Sequence, residues 1–211
     1  MYIVKKALNI SYIIFFSILF FSCNNTDEKP NIVWLVTEDN SIHYMNLYTK
    51  GGAEMPAISA LANQGVVFDN AFSNAPVCSV ARSTIITGAY APRIGTQYHR
   101  KMSQVKLPNN IKPLPIYLKQ AGYYVTNNAK EDYNFIKEEK IWDESSLKAT
   151  YKNRKDGQPF FHVQNFHNTH EGKLHFNEKQ LSEALDSNNL DSIKPFPYHP
   201  DTPTFRYTQS L

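Results

Sequence analysis

Residues 32–37, Ile-Val-Trp-Leu-Val-Thr, form a short unbroken apolar run rich in β-branched side chains, and Glu38-Asp39-Asn40 end it abruptly. A run of that length with polar boundaries predicts a strand buried in a parallel sheet, with acids at its carboxyl end. The spacing then changes. Between 56 and 64 the apolar residues fall at Ile58, Leu61 and Ala62, with Pro56 opening the segment and Gly65 following it, which predicts a helix. Residues 66–72, Val-Val-Phe-Asp-Asn-Ala-Phe, read as the next strand, and 79–87, closing on Gly88, as a second helix. A third helix is predicted over 114–121 before Gly122, leading into a strand at 123–126; 159–166 makes a further strand. Strands alternating with helices predict an α/β fold, a mostly parallel sheet flanked by helices. Sites in such sheets gather outside the carboxyl ends of the strands, and Glu38, Asp39, Lys130 and His167 all follow predicted strand ends. Residues 173–211 are polar and carry Pro195, Pro197, Pro200 and Pro203, so they read as an extended surface excursion.

The first residues follow a different pattern. Lys5-Lys6 precede an apolar stretch over 7–21, interrupted by Asn9, Ser11 and Ser17, and Ser22-Cys23 follow it. This is the layout of an export signal over 1–22, and it is shorter and more interrupted than the ~20 apolar residues of a spanning helix. Cys23 after Phe20-Phe21-Ser22 resembles a bacterial lipobox, whose cysteine becomes lipidated. Residues 23–30 would then be a polar tether, and 31–211 the folded domain. The expected location is outside the cytoplasm, as a periplasmic or outer-membrane lipoprotein of a bacterium that meets the membrane through its lipid.

Composition narrows the partners. The chain has 211 residues, with 22 Lys+Arg against 19 Asp+Glu, and two of the lysines sit in the leader. So slight an excess argues for no nucleic-acid partner. With 42% hydrophobic and 19% charged residues the chain can bury a core. Two cysteines exclude a disulfide scaffold and a Cys-rich zinc module. If Cys23 carries lipid, Cys78 is a lone thiol, either inert in a core or chemically used. Among the histidines, His167-x-x-His170 could suggest zinc, but it lacks the third and fourth ligands, and His162 and His175 need not converge with it.

The richest segment is Cys78-Ser79-Val80-Ala81-Arg82-Ser83-Thr84-Ile85-Ile86-Thr87-Gly88. It puts a thiol at a helix start and an arginine four residues on, one turn away on the same face. Helix amino terminus and cation both favour an anion there, which suits an activated nucleophile beside an oxyanion-binding arginine. A small buried cysteine and a surface arginine would fit the same spacing.

From Asn31 onward the chain resembles the type I sulfatases of the alkaline-phosphatase superfamily. Their signature is Cys or Ser, any residue, Pro, any residue, Arg, then Ser or Thr and a helix ending in Thr-Gly. Cys78, Arg82, Ser83 and Thr87-Gly88 match it. So do the opening strand with its acids, Pro56, Val67-Phe68-Asp69-Asn70-Ala71-Phe72, Pro92-Arg93-Ile94-Gly95, and Phe160-Phe161 running into His167-Asn168-Thr169-His170. The resemblance implies that a maturation enzyme oxidises Cys78 to formylglycine, whose hydrated aldehyde attacks sulfur, and that the second hydroxyl then expels the sulfate. It implies a bound Ca²⁺, or Mg²⁺ as the other hard cation, with Glu38, Asp39 and the Cys78-derived group among its ligands. Arg82 would stabilise the diol, Lys130 hold a sulfate oxygen, and His170 contact sulfate or protonate the leaving oxygen. His99 would line the substrate pocket. The substrate class implied is sulfate esters or sulfamates of sulfated carbohydrates.

Several residues depart from the family pattern. Val80 replaces the signature proline, Glu38 stands where the family has Asp, and Glu131-Asp132-Tyr133 follow Lys130 without the usual histidine. Family members are commonly much longer and bring a second pair of metal ligands on a later strand, so the chain reads as the amino-terminal part of such a domain, truncated at the carboxyl end. Two other readings stay open: a non-catalytic exported lipoprotein, and a phosphatase or phosphodiesterase relative. Cys78 speaks against the latter, which normally carry Ser or Thr at that position.

Overall fold

The computed structural model describes residues 28–137, 140–187 and 190–210. The leader at 1–22, Cys23 and most of the tether lie outside the described residues. The chain divides into Met1–Pro30 and a compact unit from Asn31 to Leu211. Among the described residues no helix is long and apolar enough to cross a membrane.

The compact unit is built on four strands, β1 (Ile32–Thr37), β2 (Tyr124–Asn128), β3 (Glu144–Ser145) and β4 (Phe160–Phe166), in the order β1-β4-β2-β3. Every pairing is parallel: Ile32 to Thr37 lie beside Phe161 to Phe166, and Tyr124 to Asn128 beside Phe160 to Gln164. All carboxyl ends therefore open on one edge, where the loops carrying Glu38, Lys130 and His170 emerge. The helices are α1 (Pro56–Ala62), α2 (Cys78–Thr87), α3 (Ala91–Ile94), α4 (Leu114–Gln120), α5 (Glu178–Ser187) and α6 (Pro203–Ser210).

The core lies between the sheet and the helices. Val125 and Phe161 are fully buried at its centre, with Ile86 of α2, Ile116 of α4, Phe135 and Trp142 around them. Trp34 meets Phe161 edge-on at 5.0 Å, and Trp142 stacks on it at 5.7 Å. Helix α2 starts at an extended Val77 and stops at Gly88, whose φ of 63° is the left-handed turn a Cβ would strain. It buries Ser79, Val80, Ser83 and Ile86, one face of the helix, so Val80 is a buried side chain.

Three expectations are corrected, and one strand went unpredicted. No strand forms at 66–72: Val66, Phe68 and Phe72 are exposed, and a turn breaks the segment at Asp69-Asn70. Alternation is a local signal, whereas a strand needs a neighbour for its N–H and C=O groups, and none of the described strands lies beside this segment. β1 is not buried on both faces. Ile32, Trp34 and Val36 pack on the core, while Val33 and Leu35 stand exposed at the sheet edge. β3, which sequence patterning missed, is two polar residues beside Thr126 and Asn127, too short to leave a period. The polar stretch from 173 onward is not extended, for α5 and α6 form within it and Phe176 packs edge-on against Tyr207 at 4.8 Å. Pro203 there starts a helix, where its missing N–H costs nothing.

Candidate functional site

The carboxyl ends of β1, β2 and β4 converge with the amino end of α2 on one buried carboxylate. Glu38 follows β1 directly and is 3% exposed. Its backbone is pinned from the loop after β4: the Glu38 N–H donates to the Phe166 carbonyl at 3.3 Å, and the Thr169 hydroxyl donates to the Glu38 carbonyl. Its side chain is held by two cations. Arg82 Nη2 donates to Oε1 at 2.6 Å and Lys130 Nζ to Oε2 at 2.6 Å. A carboxylate this buried is stable only if paired and hydrogen-bonded, and here each oxygen has its own cation.

Arg82 is fixed by three partners. Besides Glu38, its Nη1 donates to the Lys130 carbonyl and to Asn165 Oδ1, both at 2.9 Å. Asn165, a buried residue of β4, donates in turn to Asn127 Oδ1 at 3.0 Å and to the Asn128 carbonyl at 2.9 Å. An amide in the middle of three strand ends thus sets the guanidinium plane. Sequence reasoning did not single out Asn165 or Asn127. The available signal was amides towards the carboxyl ends of two strands, each of which must find partners when buried.

Cys78 is the first residue of α2 and half-buried, one turn before Arg82. Its Sγ, a Glu38 oxygen and a His170 ring nitrogen all lie within 4.8 Å of one another. His170 Nε2 is 4.0 Å from Glu38 Oε2, and His167 Nδ1 is 3.6 Å from Oε1. His170 Nδ1 accepts the Gly172 N–H at 3.0 Å. In the neutral ring that leaves the proton on Nε2, the nitrogen facing the site. The ring is therefore oriented as a proton donor towards Glu38 and Cys78.

Asp39 sits differently. It is exposed, has a left-handed φ of 51°, and accepts the Glu171 N–H at 2.9 Å, tying β1 to the turn after His170. It lies outside the cluster of Glu38, Cys78 and His170. His99 does not line the cleft. Its Nδ1 is 3.0 Å from Ser79 Oγ, which also accepts the Arg100 N–H at 2.9 Å, so it braces the loop after α3 against α2.

A cleft of about 450 Å³ opens beside the cluster, with Glu38, Arg82, Lys130 and Cys78 at its polar end and Trp34, Ile86, Trp142 and Val163 among its apolar walls. At the rim, Arg100 Nε and Nη2 chelate Asp132 at 3.3 and 3.1 Å. That carboxylate raises the Arg100 pKa, with Cys78 and Glu171 adding smaller contributions of the same sign.

The arrangement can bind an anion between Arg82 and Lys130, bring a group on Cys78 to it, and deliver a proton from His170. For a hard cation, Glu38 and Asp39 are the suitable donors, since Ca²⁺ takes carboxylate, carbonyl and water oxygens. Both Glu38 oxygens are engaged by cations, so a metal there would share or displace them.

Residues 30–210 match the sequence profile of the family described as Sulfatase. An ulvan-active sulfatase of Formosa agariphila is 42% identical over 157 residues, 70% of this chain and 26% of that protein. The human N-acetylgalactosamine-6-sulfatase is 30% identical over 105 residues, 46% of this chain and 20% of that one. The chain thus spans about a quarter of the length of these curated relatives. Among solved structures, one in complex with its substrate D-glucosamine-2-N,6-O-disulfate superposes with a TM-score of 0.59 at 21% identity, covering 81% of this chain and 39% of the other. A 2-O glycosaminoglycan sulfatase superposes at 0.55 and 14% identity, covering 83% and 40%.

Proposed function

Because the chain belongs to the sulfatase family, we propose that it hydrolyses sulfate esters or sulfamates of sulfated carbohydrates, with Cys78 as the precursor of its nucleophile. The observation that carries this reading is the convergence of Cys78, Arg82, Lys130 and His170 on one buried anion position. A sulfate monoester is an anion whose attack by a nucleophile builds charge on oxygens. Arg82 and Lys130, which pair with the Glu38 carboxylate at 2.6 Å, would supply that neutralisation while shared between Glu38 and the sulfate. Arg82 cannot rotate away while Asn165 and the Lys130 carbonyl hold it, so its contribution is pre-organised. His170, its proton on the nitrogen facing the cluster, meets the leaving oxygen.

An unmodified thiol would form a linkage that hydrolyses poorly. Formylglycine made from Cys78 by a maturation enzyme would supply a hydrated aldehyde, whose second hydroxyl offers a way out. Glu38 and Asp39 would hold Ca²⁺ or Mg²⁺, which supplies further charge for the sulfate. The names of the relatives, ulvan-active sulfatase and N-acetylgalactosamine-6-sulfatase, support sulfated polysaccharides as the substrate class.

The test is sulfate release from ulvan oligosaccharides by the full-length protein. Cys78→Ala is expected to abolish it while leaving the circular dichroism unchanged; turnover retained in that variant removes Cys78 from the mechanism. An aldehyde-reactive probe that labels the wild type at position 78 tests the modification separately. We further propose export and lipidation at Cys23, resting on the sequence of the leader; palmitate labelling that survives Cys23→Ser would refute it.

A further inference from the structure

A cluster of aromatic rings lies beside the cleft mouth and takes no part in the chemistry above. Phe196 is its hub. Tyr198 stacks on Phe196 at 5.5 Å with planes 12° apart, and His43 and Tyr44 meet Phe196 edge-on at 5.4 and 6.0 Å. His199 stands against Tyr198 at 4.7 Å and is backed by Phe205 of α6 at 5.1 Å. The cluster therefore joins two remote segments, one directly after β1 and one between α5 and α6.

Two features give it the character of a binding platform rather than a satellite core. First, its outer rings are open, with Tyr198 71% and Tyr44 43% exposed, while the half-buried Phe196 supports them from beneath. Aromatic residues that present a broad apolar face with a polar tip suit a ligand that is itself apolar on one side and hydroxylated at its edges. A pyranose ring has this form: axial C–H groups on one face, hydroxyls around the rim. Second, the platform is continuous with the site. Ser41 lines the cleft, and the Tyr44 N–H donates to the Ser41 carbonyl at 3.1 Å. Three residues of chain reach at most ~11 Å. A sugar stacked at Tyr44 is a neighbour of whatever occupies the cleft.

We propose that Tyr44, Phe196 and Tyr198 form a carbohydrate subsite that stacks a pyranose ring of the same polysaccharide chain whose sulfated residue enters the cleft at Cys78. The inference rests on the sulfated-carbohydrate reading above, but it invokes a sulfate-independent contact. Stacking recognises the C–H face of the sugar, whereas Arg82 and Lys130 recognise the sulfate.

That difference makes the test separable. The full-length protein is titrated calorimetrically with ulvan oligosaccharides and with the same oligosaccharides after chemical desulfation, for the wild type, Tyr198→Ala and Tyr44→Ala. The wild type is expected to bind the desulfated probe, and each substitution to weaken binding of both probes by about threefold to tenfold, the value of one aromatic contact. That pattern supports the platform whether or not sulfate is released, so failure of the hydrolase reading would show separately, as absent turnover and no preference for the sulfated probe. Desulfated oligosaccharide that does not bind the wild type overturns the subsite. So do affinities for both probes that are unchanged in both variants, as expected if the rings merely cover each other or another stretch of polypeptide.

Discussion

The floor of the cleft and its rim are both built from ion pairs, and they are not equivalent. At the floor, Glu38 is buried between Arg82 and Lys130, and those cations are themselves only 14% exposed in their side chains. At the rim, Arg100 chelates Asp132 with a side chain 56% exposed. Both are within hydrogen-bonding distance, 2.6 Å at the floor and 3.1 Å at the rim. Their environments separate them: removing one partner from the floor leaves a largely buried charge without its counter-ion, while the rim pair has water as a ready substitute. The floor is held by burial and by the three partners of Arg82. The rim, made of two non-glycine residues in left-handed backbone, Arg100 at φ 43° and Asp132 at φ 49°, fixes loop shape more than stability.

The largest expected effect follows from the floor. Glu38→Gln keeps the shape but strands two cations, and should cost about 3–5 kcal/mol in denaturant unfolding at neutral pH. A cost under about 1 kcal/mol would mean that Arg82 and Lys130 can turn to solvent, and would erase the distinction from the rim pair. Asn165→Ala tests the next layer. It removes the acceptor of Arg82 Nη1 and the donor to Asn127 Oδ1, so about 1–3 kcal/mol should be lost. If Asn165→Ala and Glu38→Gln are coupled, the double variant will cost less than the sum of the single changes; strict additivity would show that the amide does not act through Arg82.

How far the sequence foretold this divides along the same line. The residues around the anion position were legible, Cys78 and Arg82 from an identity and spacing that also fit a purely structural pair, and Glu38, Lys130 and His170 through the family resemblance. The supporting layer was not. Asn165 sits within a segment that read only as a strand and Asn127 just past the predicted strand at 123–126, and nothing local says which buried amide will meet which arginine 83 residues away. The fold shows the same limit: β4 and helices α1, α2 and α4 were readable from period and caps, whereas α5 and α6 lie in a stretch that read as extended, 66–72 has strand composition but no neighbouring strand, and β1 reads as doubly buried although its Val33 and Leu35 face has no cover among the described residues. Periodicity reports what a segment could bury. It does not report what arrives to bury it.

A pH-dependent effect of intermediate size lies just behind the floor. His162 in β4 is buried with Nδ1 2.7 Å from Thr126 Oγ1, and burial pushes its pKa below the ordinary 6.5. The folded state therefore holds it neutral while the unfolded state takes up a proton as pH falls below 6.5. Stability should drop as the pH is lowered through that point, and level off once the folded form also protonates, with a slope of at most ~1.4 kcal/mol per pH unit from this group. His162→Gln should flatten that part of the stability profile. Identical slopes for the two proteins between pH 7 and 5 would assign the acid sensitivity to other groups.

The smallest effect is expected at the rim. Arg100→Ala removes both bonds to Asp132, yet the loop remains anchored through the backbone, since the N–H at position 100 still donates to Ser79 Oγ and Asn134 Nδ2 still donates to the Thr96 carbonyl. The pair is worth about 0–1 kcal/mol by its exposure, and added salt should remove part of even that. A loss of 2 kcal/mol or more, roughly the lower reach of a buried pair, would show that the left-handed turns at 100 and 132 depend on the ion pair to exist. The rim would then belong to the same rigid frame as Glu38, and the division between a buried floor and an exposed rim would have to move outward by one layer of side chains.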